Sequence, residues 1–435
     1  MPARPKVVRM RVNMTVMNPE QDAGQTQTAP PPVPLEEYQA RRTHVLEALE
    51  GAAAVVFAGT EPHDNSLLAR WKTNRLFWYL TGLDFESGAV VLFDPSAEDP
   101  ERRITLLLAP RDPEAERWEG PREFLDSALK SKTGFSSLGR VTSLPARLTE
   151  AARRTKRLAC LHPFSPYTAP ISPDLEVFRK VCEHVPGVSI EDRTQLLPQM
   201  RAIKSAAELA LINYAVHITK EALGSAIEHI SPGKSEKALA GILVETFRHY
   251  EAEPAFMPIV ASGPNSTILH YVRLERTLGE GDLVVIDCGA MYHGYAADVT
   301  RTLPVGGRFS LEQQHVYEVV LEANQIAIDA VRPGITVGEI QARALEVIRR
   351  AGYEDFFFHG IGHQLGIEVH DVMPDGPLAP GMVLTIEPGI YLEDRGIGVR
   401  IEDDVLVTDK GAQVLTAQIP KTIEDIEAAI AQASS

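Results

Sequence analysis

The stretch "GDLVVIDCGAMYHGYAADVTRT", Gly281 to Thr302, decides the fold. Leu283, Val284, Val285 and Ile286 make an unbroken β-branched and apolar run, the pattern of a strand covered on both faces. The run stops on Asp287, and a second acid, Asp298, follows after a turn-rich segment holding Gly289 and Gly294. A core strand that ends on an unpaired carboxylate is costly, because a desolvated carboxylate protonates unless something compensates it. Asp287 therefore needs a compensating partner or a place at the mouth of a cavity.

Outward from this stretch, the chain repeats itself. "GDLVVIDCG" (Gly281 to Gly289) and "GMVLTIEPG" (Gly381 to Gly389) match, which sets Asp287 over Glu387. Upstream, "ILHY" and "EVHD" set His270 over His370, and "SPGKSEKAL" and "RPGITVGEI" each pair a Pro-Gly turn with a Ser or Thr helix cap. Downstream, "DVTR" and "RIED" give each half a second acid, Asp298 or Glu402. Four matches in order predict two related α/β halves that bring acids and histidines to a shared centre. There Asp287 stays ionised if its counterparts share the cavity with a bound cation.

Asp287, Asp298, Glu387 and Glu402, with one imidazole from "FFFHGIGHQLGIEVHD", form the candidate cluster. Carboxylates crowded into a dry site repel one another, and so many call for more than one divalent ion. Oxygen-rich ligation with a single nitrogen suits Mn²⁺ or a similar borderline metal better than thiolate-loving structural zinc. A binuclear site of this kind generates hydroxide at neutral pH and polarises a carbonyl, so amide or ester hydrolysis is its natural use. Each acid also has a plainer reading taken alone: Asp287 as a turn former, Glu387 as a strand-end surface acid, Glu402 as part of a solvated charge run with Asp403 and Asp404. His359 and His363 have the spacing of a zinc-binding HExxH helix, but Gly360, Ile361 and Gly362 lie between them, without the glutamate and with poor helix propensity. Gly360, Gly362 and Gly366 also miss the spacing of a dinucleotide-binding loop.

The rest of the chain narrows the class. From about Leu35 to Leu197, helical segments alternate with short strands such as "AAAVVFAG" (Ala52 to Gly59), "GAVVLFDP" (Gly88 to Pro95) and "RITLLLAP" (Arg103 to Pro110), which predicts an α/β domain with a mixed sheet. Ser205 and Glu208 form a capping box that opens a long helix and a second domain, and Pro232 with Gly233 ends that helix. Three domain segments are expected: a disordered extension over 1–34, rich in proline and polar residues towards its end, an α/β domain over 35–197 and the repeated domain over 198–435. No segment reaches the roughly twenty apolar residues of a membrane span. Acids outnumber bases 59 to 43 in the 435 residues, a net charge of −16, which argues against nucleic acid as a partner. Three cysteines, widely spaced and without a CxxC pair, fit a reducing cytoplasm.

The ordered string "ILHY", "VVIDCGAMYHGYAADVTRTLPV", "HGIGHQLGIEVHD", "TIEPGIY" and "VRIEDDVLVT" resembles the pita-bread metallopeptidases, and within them the proline-specific branch of aminopeptidases P and prolidases. The resemblance covers Arg201 to Thr408 and implies an α/β (α+β) fold, with a creatinase-like N-terminal α/β domain followed by a pseudo-two-fold pita-bread catalytic domain. It implies that Asp298 and Glu402 bridge two metal ions, that Asp287 chelates one, and that His363 and Glu387 complete the other. It also implies that His270 and His370 flank the substrate and stabilise the tetrahedral intermediate, that His359 and Arg400 line the pocket, and that Glu387 shuttles a proton. The metal it implies is Mn²⁺, with Zn²⁺ or Co²⁺ as other candidates.

The first half is similar to the family's N-terminal domain through "NRLFWYLTGLDFESGAVVLFDP", with Asn74, Arg75 and Leu76 standing where the family has a Ser-Asp-Phe-like sequence. Methionine aminopeptidases lack that domain. The expected activity is hydrolysis of the N-terminal Xaa-Pro bond of peptides with proline at the second position. A prolidase and an inactive binding scaffold are the alternatives, and a dimer or tetramer is the implied assembly.

Overall fold

The structure is a computed structural model and describes residues 28–60, 72–84, 86–114 and 116–433. Most of the expected N-terminal extension lies outside the described residues. At its end Val33 is buried against the core, and a helix begins at Leu35.

The first domain is built on one mixed sheet of strands β1 (Ala53–Phe57), β2 (Val90–Phe93), β3 (Ile104–Leu108), β4 (Ser137–Arg140), β5 (Arg157–Cys160) and β6 (Ser189–Asp192), in the order β4-β3-β2-β1-β5-β6. The β1/β2 and β2/β3 pairs are antiparallel and the outer pairs parallel. Successive side chains of a strand point to opposite faces, and here both faces are covered. Ala53, Val55, Val90, Leu92 and Leu107 pack with Leu148 and Phe178 from the helices Leu144–Thr155 and Pro173–His184. Ala54, Val56, Val91, Phe93 and Leu106 belong to the large core that also takes in Val45, Phe77 and Leu80 and runs on into the second domain. Two-sided burial explains why these strands read as continuous apolar runs.

The second domain opens with the helix Ala206–Ile227, whose Ser205–Glu208 capping box is formed as expected. The helix stops at Ile227, short of Pro232. The proline ring would collide with the carbonyl four residues earlier, at Glu228, which is the helix C-cap. A second helix, Glu236–His249, follows, then β7 (Glu253–Pro254), β8 (Ile259–Ser262), β9 (Leu283–Cys288), β10 (Ala290–Tyr292), β11 (Tyr295–Ala296) and β12 (Val299–Pro304). The second half repeats this plan with helices Leu311–Ala330 and Val337–Arg350, then β13 (Val383–Ile386), β14 (Gly389–Leu392), β15 (Ile397–Arg400), β16 (Asp403–Thr408) and β17 (Gly411–Val414). Both matched Pro-Gly turns end on real caps: Ser235 accepts from Ala238 N, and Thr336 forms a capping box with Glu339.

The repeat survives in strand pairing. β9 pairs antiparallel with β12 and β13 with β16, so each half carries a strand with an acid at or next to its end, beside a partner strand preceded by a second acid. The halves join directly: Glu402 N donates to Thr300 O (3.1 Å), while Arg400 N donates to Thr302 Oγ1 (3.0 Å), which in turn donates to Arg400 O (2.9 Å). Asp287 of β9 comes close enough to Glu387, its counterpart after β13, for the two carboxylates to repel.

Candidate metal centre

Asp287 is the fifth residue of β9, and Asp298 stands immediately before β12. Gly289 allows their approach, because a Cβ there would lie 1.8 Å from Ala297 O. Gly362 does the same for the imidazole: a Cβ would lie 1.9 Å from Thr385 O, whereas the bare glycine lets His363 N donate to Thr385 Oγ1 (3.1 Å). Glu387 follows β13, and Glu402 sits between β15 and β16.

These elements bring ligand atoms of Asp298, His363 and Glu402 within 4.8 Å of one another. His363 Nε2 lies 3.6 Å from both Asp298 Oδ2 and Glu387 Oε1. Burial holds the His363 imidazole down to about 4, so it is neutral at pH 7 with its lone pair available. Its Nδ1 meets Gln364 O at 3.1 Å, which leaves Nε2 to face the acids.

The acids lack what they need from the protein. Burial, then repulsion from Glu402 and Asp287, raises Asp298 well above the usual carboxylate range. Burial, then repulsion from Glu387 and Asp287, does the same to Glu402, whose Oε2 accepts from Thr300 Oγ1 (2.7 Å). Glu387 is pushed up by burial to about 7. Asp287 Oδ1 and Asp298 Oδ1 are buried without a hydrogen-bond partner. Fully buried orphan carboxylate oxygens beside a neutral imidazole form a hard-cation site, so the residues present fit divalent metal.

Asp287 also has a protein cation at its other oxygen. Arg400 Nη2 donates to Asp287 Oδ2 (2.7 Å), Nε to Thr300 Oγ1 (3.2 Å) and Nη1 to the Tyr391 hydroxyl (3.2 Å). His359 Nε2 meets the same hydroxyl at 2.9 Å, and burial lowers His359 to about 4. His370 is exposed, with its ring 4.2 Å from that of His363. His270 is exposed on the wall of a cleft of about 610 Å³ and close enough to His359 to influence its charge.

The structure corrects one plain reading. Glu402, Asp403 and Asp404 are not a solvated run, since Glu402 is 2 % exposed and the two aspartates are fully buried. Tyr391, Thr300 and Thr385 were not singled out in the sequence. Their only signal was place: Thr300 and Thr385 sit on the paired strands, and Tyr391 follows the matched "EPG".

A two-fold α/β domain closing on clustered carboxylates and one imidazole defines a metal-dependent hydrolase. Residues 210–409 match the model of metallopeptidase family M24, and residues 38–159 match that of the aminopeptidase P N-terminal domain. Among curated relatives, the Xaa-Pro aminopeptidase of Haemophilus influenzae is 34 % identical over 91 % of this chain and 97 % of its own. That of Escherichia coli is 34 % identical over 90 % and 97 %. The Xaa-Pro dipeptidase of Pyrococcus furiosus is 42 % identical, but over only 51 % of this chain and 65 % of its own. A solved Escherichia coli aminopeptidase P variant in complex with substrate has a TM-score of 0.83 at 31 % identity, covering 93 % of this chain and all of that one, 100 %. The chain belongs to metallopeptidase family M24, among its Xaa-Pro aminopeptidases. Divalent metal ions come with that membership.

Proposed function

We propose that Asp298 and Glu402, with Asp287 and with His363 and Glu387, would together hold two divalent ions, Mn²⁺ by the donor set. The enzyme is a metal-dependent aminopeptidase that hydrolyses the bond between an N-terminal residue and proline. The observation that carries the site assignment is the convergence of Asp298, His363 and Glu402, with Asp298 Oδ1 and the neighbouring Asp287 Oδ1 buried and unpartnered. Divalent ions bound there supply a hydroxide nucleophile at neutral pH and charge to polarise the scissile carbonyl.

The chain's own residues do the rest. Glu387, beside His363 in the cluster, takes a proton from the attacking water at a carboxylate oxygen and returns it to the leaving nitrogen. His370, exposed with its ring against that of His363, and His270, exposed near His359, donate hydrogen bonds to the oxygen of the tetrahedral intermediate. His359 and Arg400, tied through Tyr391, line the pocket.

We assign residues 35–197 to the N-terminal domain and 198–435 to the catalytic one, with the chain acting as a dimer or tetramer in the cytoplasm. The three free cysteines, Cys160, Cys182 and Cys288, agree with a reducing compartment. Among the described residues no helix is long and apolar enough to cross a membrane.

The test is substrate length. A dipeptidase needs a cation or wall to capture the carboxylate after proline, whereas an aminopeptidase leaves that side open. Xaa-Pro-Yaa tripeptides are expected to be cleaved with higher kcat/KM than Xaa-Pro dipeptides, with little action when the second residue is not proline. Efficient dipeptide cleavage with tripeptides untouched would make the enzyme a prolidase. No cleavage of either by metal-loaded protein would return the scaffold reading.

A further inference from the structure

Glu236 is the first residue of the helix Glu236–His249, following the Ser235 cap. An acid there commonly sits in solvent and gains a little from the helix dipole. This one is fully buried and carries five hydrogen bonds. Its Oε1 accepts from Ser262 N (2.8 Å), Ser262 Oγ (2.8 Å) and Asn265 Nδ2 (3.0 Å). Its Oε2 accepts from the Tyr271 hydroxyl (3.0 Å) and Arg276 N (2.9 Å).

The donors come from both ends of a single segment, Ser262 to Arg276, and His270 lies between them. Beyond Ser262, the last residue of β8, the segment has only the short 3₁₀ turn Gly263–Thr267 and no other helix or strand of its own to hold it. The carboxylate takes the place of a ladder. Arg276 Nη1 closes the ring by donating to Ser262 Oγ (3.0 Å) and pairing with Asp282. Tyr271 is 6 % exposed while its neighbours His270 and Val272 are both exposed. Drawing Tyr271 inward to Glu236 therefore turns His270 outward, and Asn265, Ile268, His270 and Val272 form a wall of the cleft.

We propose that Glu236 is a positioning residue for the reaction: its buried carboxylate sets the height and direction of His270 over the cleft. The inference rests on the role given above to His270. Glutamine at this position keeps the shape, but it replaces one acceptor oxygen with a donor and removes the charge that strengthens all five bonds. Displacing a catalytic group by an ångström or less costs turnover far more than it costs binding.

The test is a double-mutant cycle on metal-loaded protein with the tripeptide Ala-Pro-Ala. Glu236→Gln is expected to keep its full metal content and its KM while kcat falls on the order of ten- to hundredfold. Added to His270→Ala, it is expected to lower kcat no further, because the group it positions is already gone. Wild-type kcat for Glu236→Gln, or multiplied losses in the double variant, overturns the inference. Tyr271→Phe removes one donor at smaller risk to folding and is read by the same two criteria. A wild-type rate for His270→Ala alone refutes the role of His270, an outcome the cycle separates from failure of Glu236 to act through it.

Discussion

Asp403 and Asp404 are chain neighbours, both fully buried, and they belong to two differently neutralised regions. Behind the site, burial alone would push Asp403 up, but Arg301 (2.8 Å) and Lys421 (2.7 Å), with a hydrogen bond from Thr416, pull it down to about 2. On the site side, burial raises Asp404 well above its ordinary range, in company with Asp298 and Glu402. Arg301 also donates to the Glu402 carbonyl (2.6 Å) and to the backbone at Pro420 and Ile419. Among the described residues, the fold therefore gives Asp403 two cations and gives Asp298, Glu402 and Asp404 none, and among the acids of the centre Asp287 alone is paired with one, Arg400. A region left short of positive charge inside an otherwise balanced core is where an external cation belongs.

The comparison breaks most sharply at Glu402. Glu402→Gln is expected to abolish activity and lose bound metal, read by elemental analysis after mild dialysis. Wild type should retain two equivalents under Mn²⁺-replete conditions, and fewer than one, with no activity regained on adding metal, would sink the dinuclear assignment.

The opposite region should respond in stability. Arg301→Met leaves Asp403 short of a buried partner and should cost about 3–5 kcal/mol in denaturant unfolding of the metal-loaded protein. A loss within error of zero would mean the two regions do not differ as described.

His370→Ala should keep both metals yet lose turnover on the order of a hundredfold or more. Loss of metal instead would mean that His370 and His363 have exchanged roles.

The smallest effect is linked to pH. Carboxyls raised in the metal-free fold oppose folding from the ordinary carboxylate range upward, because the unfolded chain ionises there and the folded one does not. For Glu387 that window closes at about 7. Metal must displace those protons, so the rise in Tm on adding Mn²⁺ should grow from pH 6 to pH 7.5. A rise that shrinks over that interval would contradict the raised values.

Much of this was legible in the sequence because it is local or periodic. The capping boxes at Ser205 and Thr336, the apolar strands and the match of Asp287 with Glu387 depend on residues close together or on the repeat itself. What was hidden depends on long-range burial. Asp403 and Asp404 look like a solvated charge run because Arg301 and Lys421, which partner Asp403, lie on other elements. Glu236 looks like an ordinary first-turn acid because all five of its hydrogen bonds come from residues 26 to 40 positions away. Tyr391 carries no motif, and its role comes from His359 and Arg400 converging on one hydroxyl.

The seam between the halves also fixes an order of events during synthesis. Asp287 and Arg400 are 113 residues apart in the chain, and Thr300 and Glu402 are 102 apart. At the usual pace of translation, the acids of the first half emerge roughly 6–20 s before their partners. Through that interval the nascent chain carries half of a binding site, and metal has a complete set of ligands only when the second half has been made and docked.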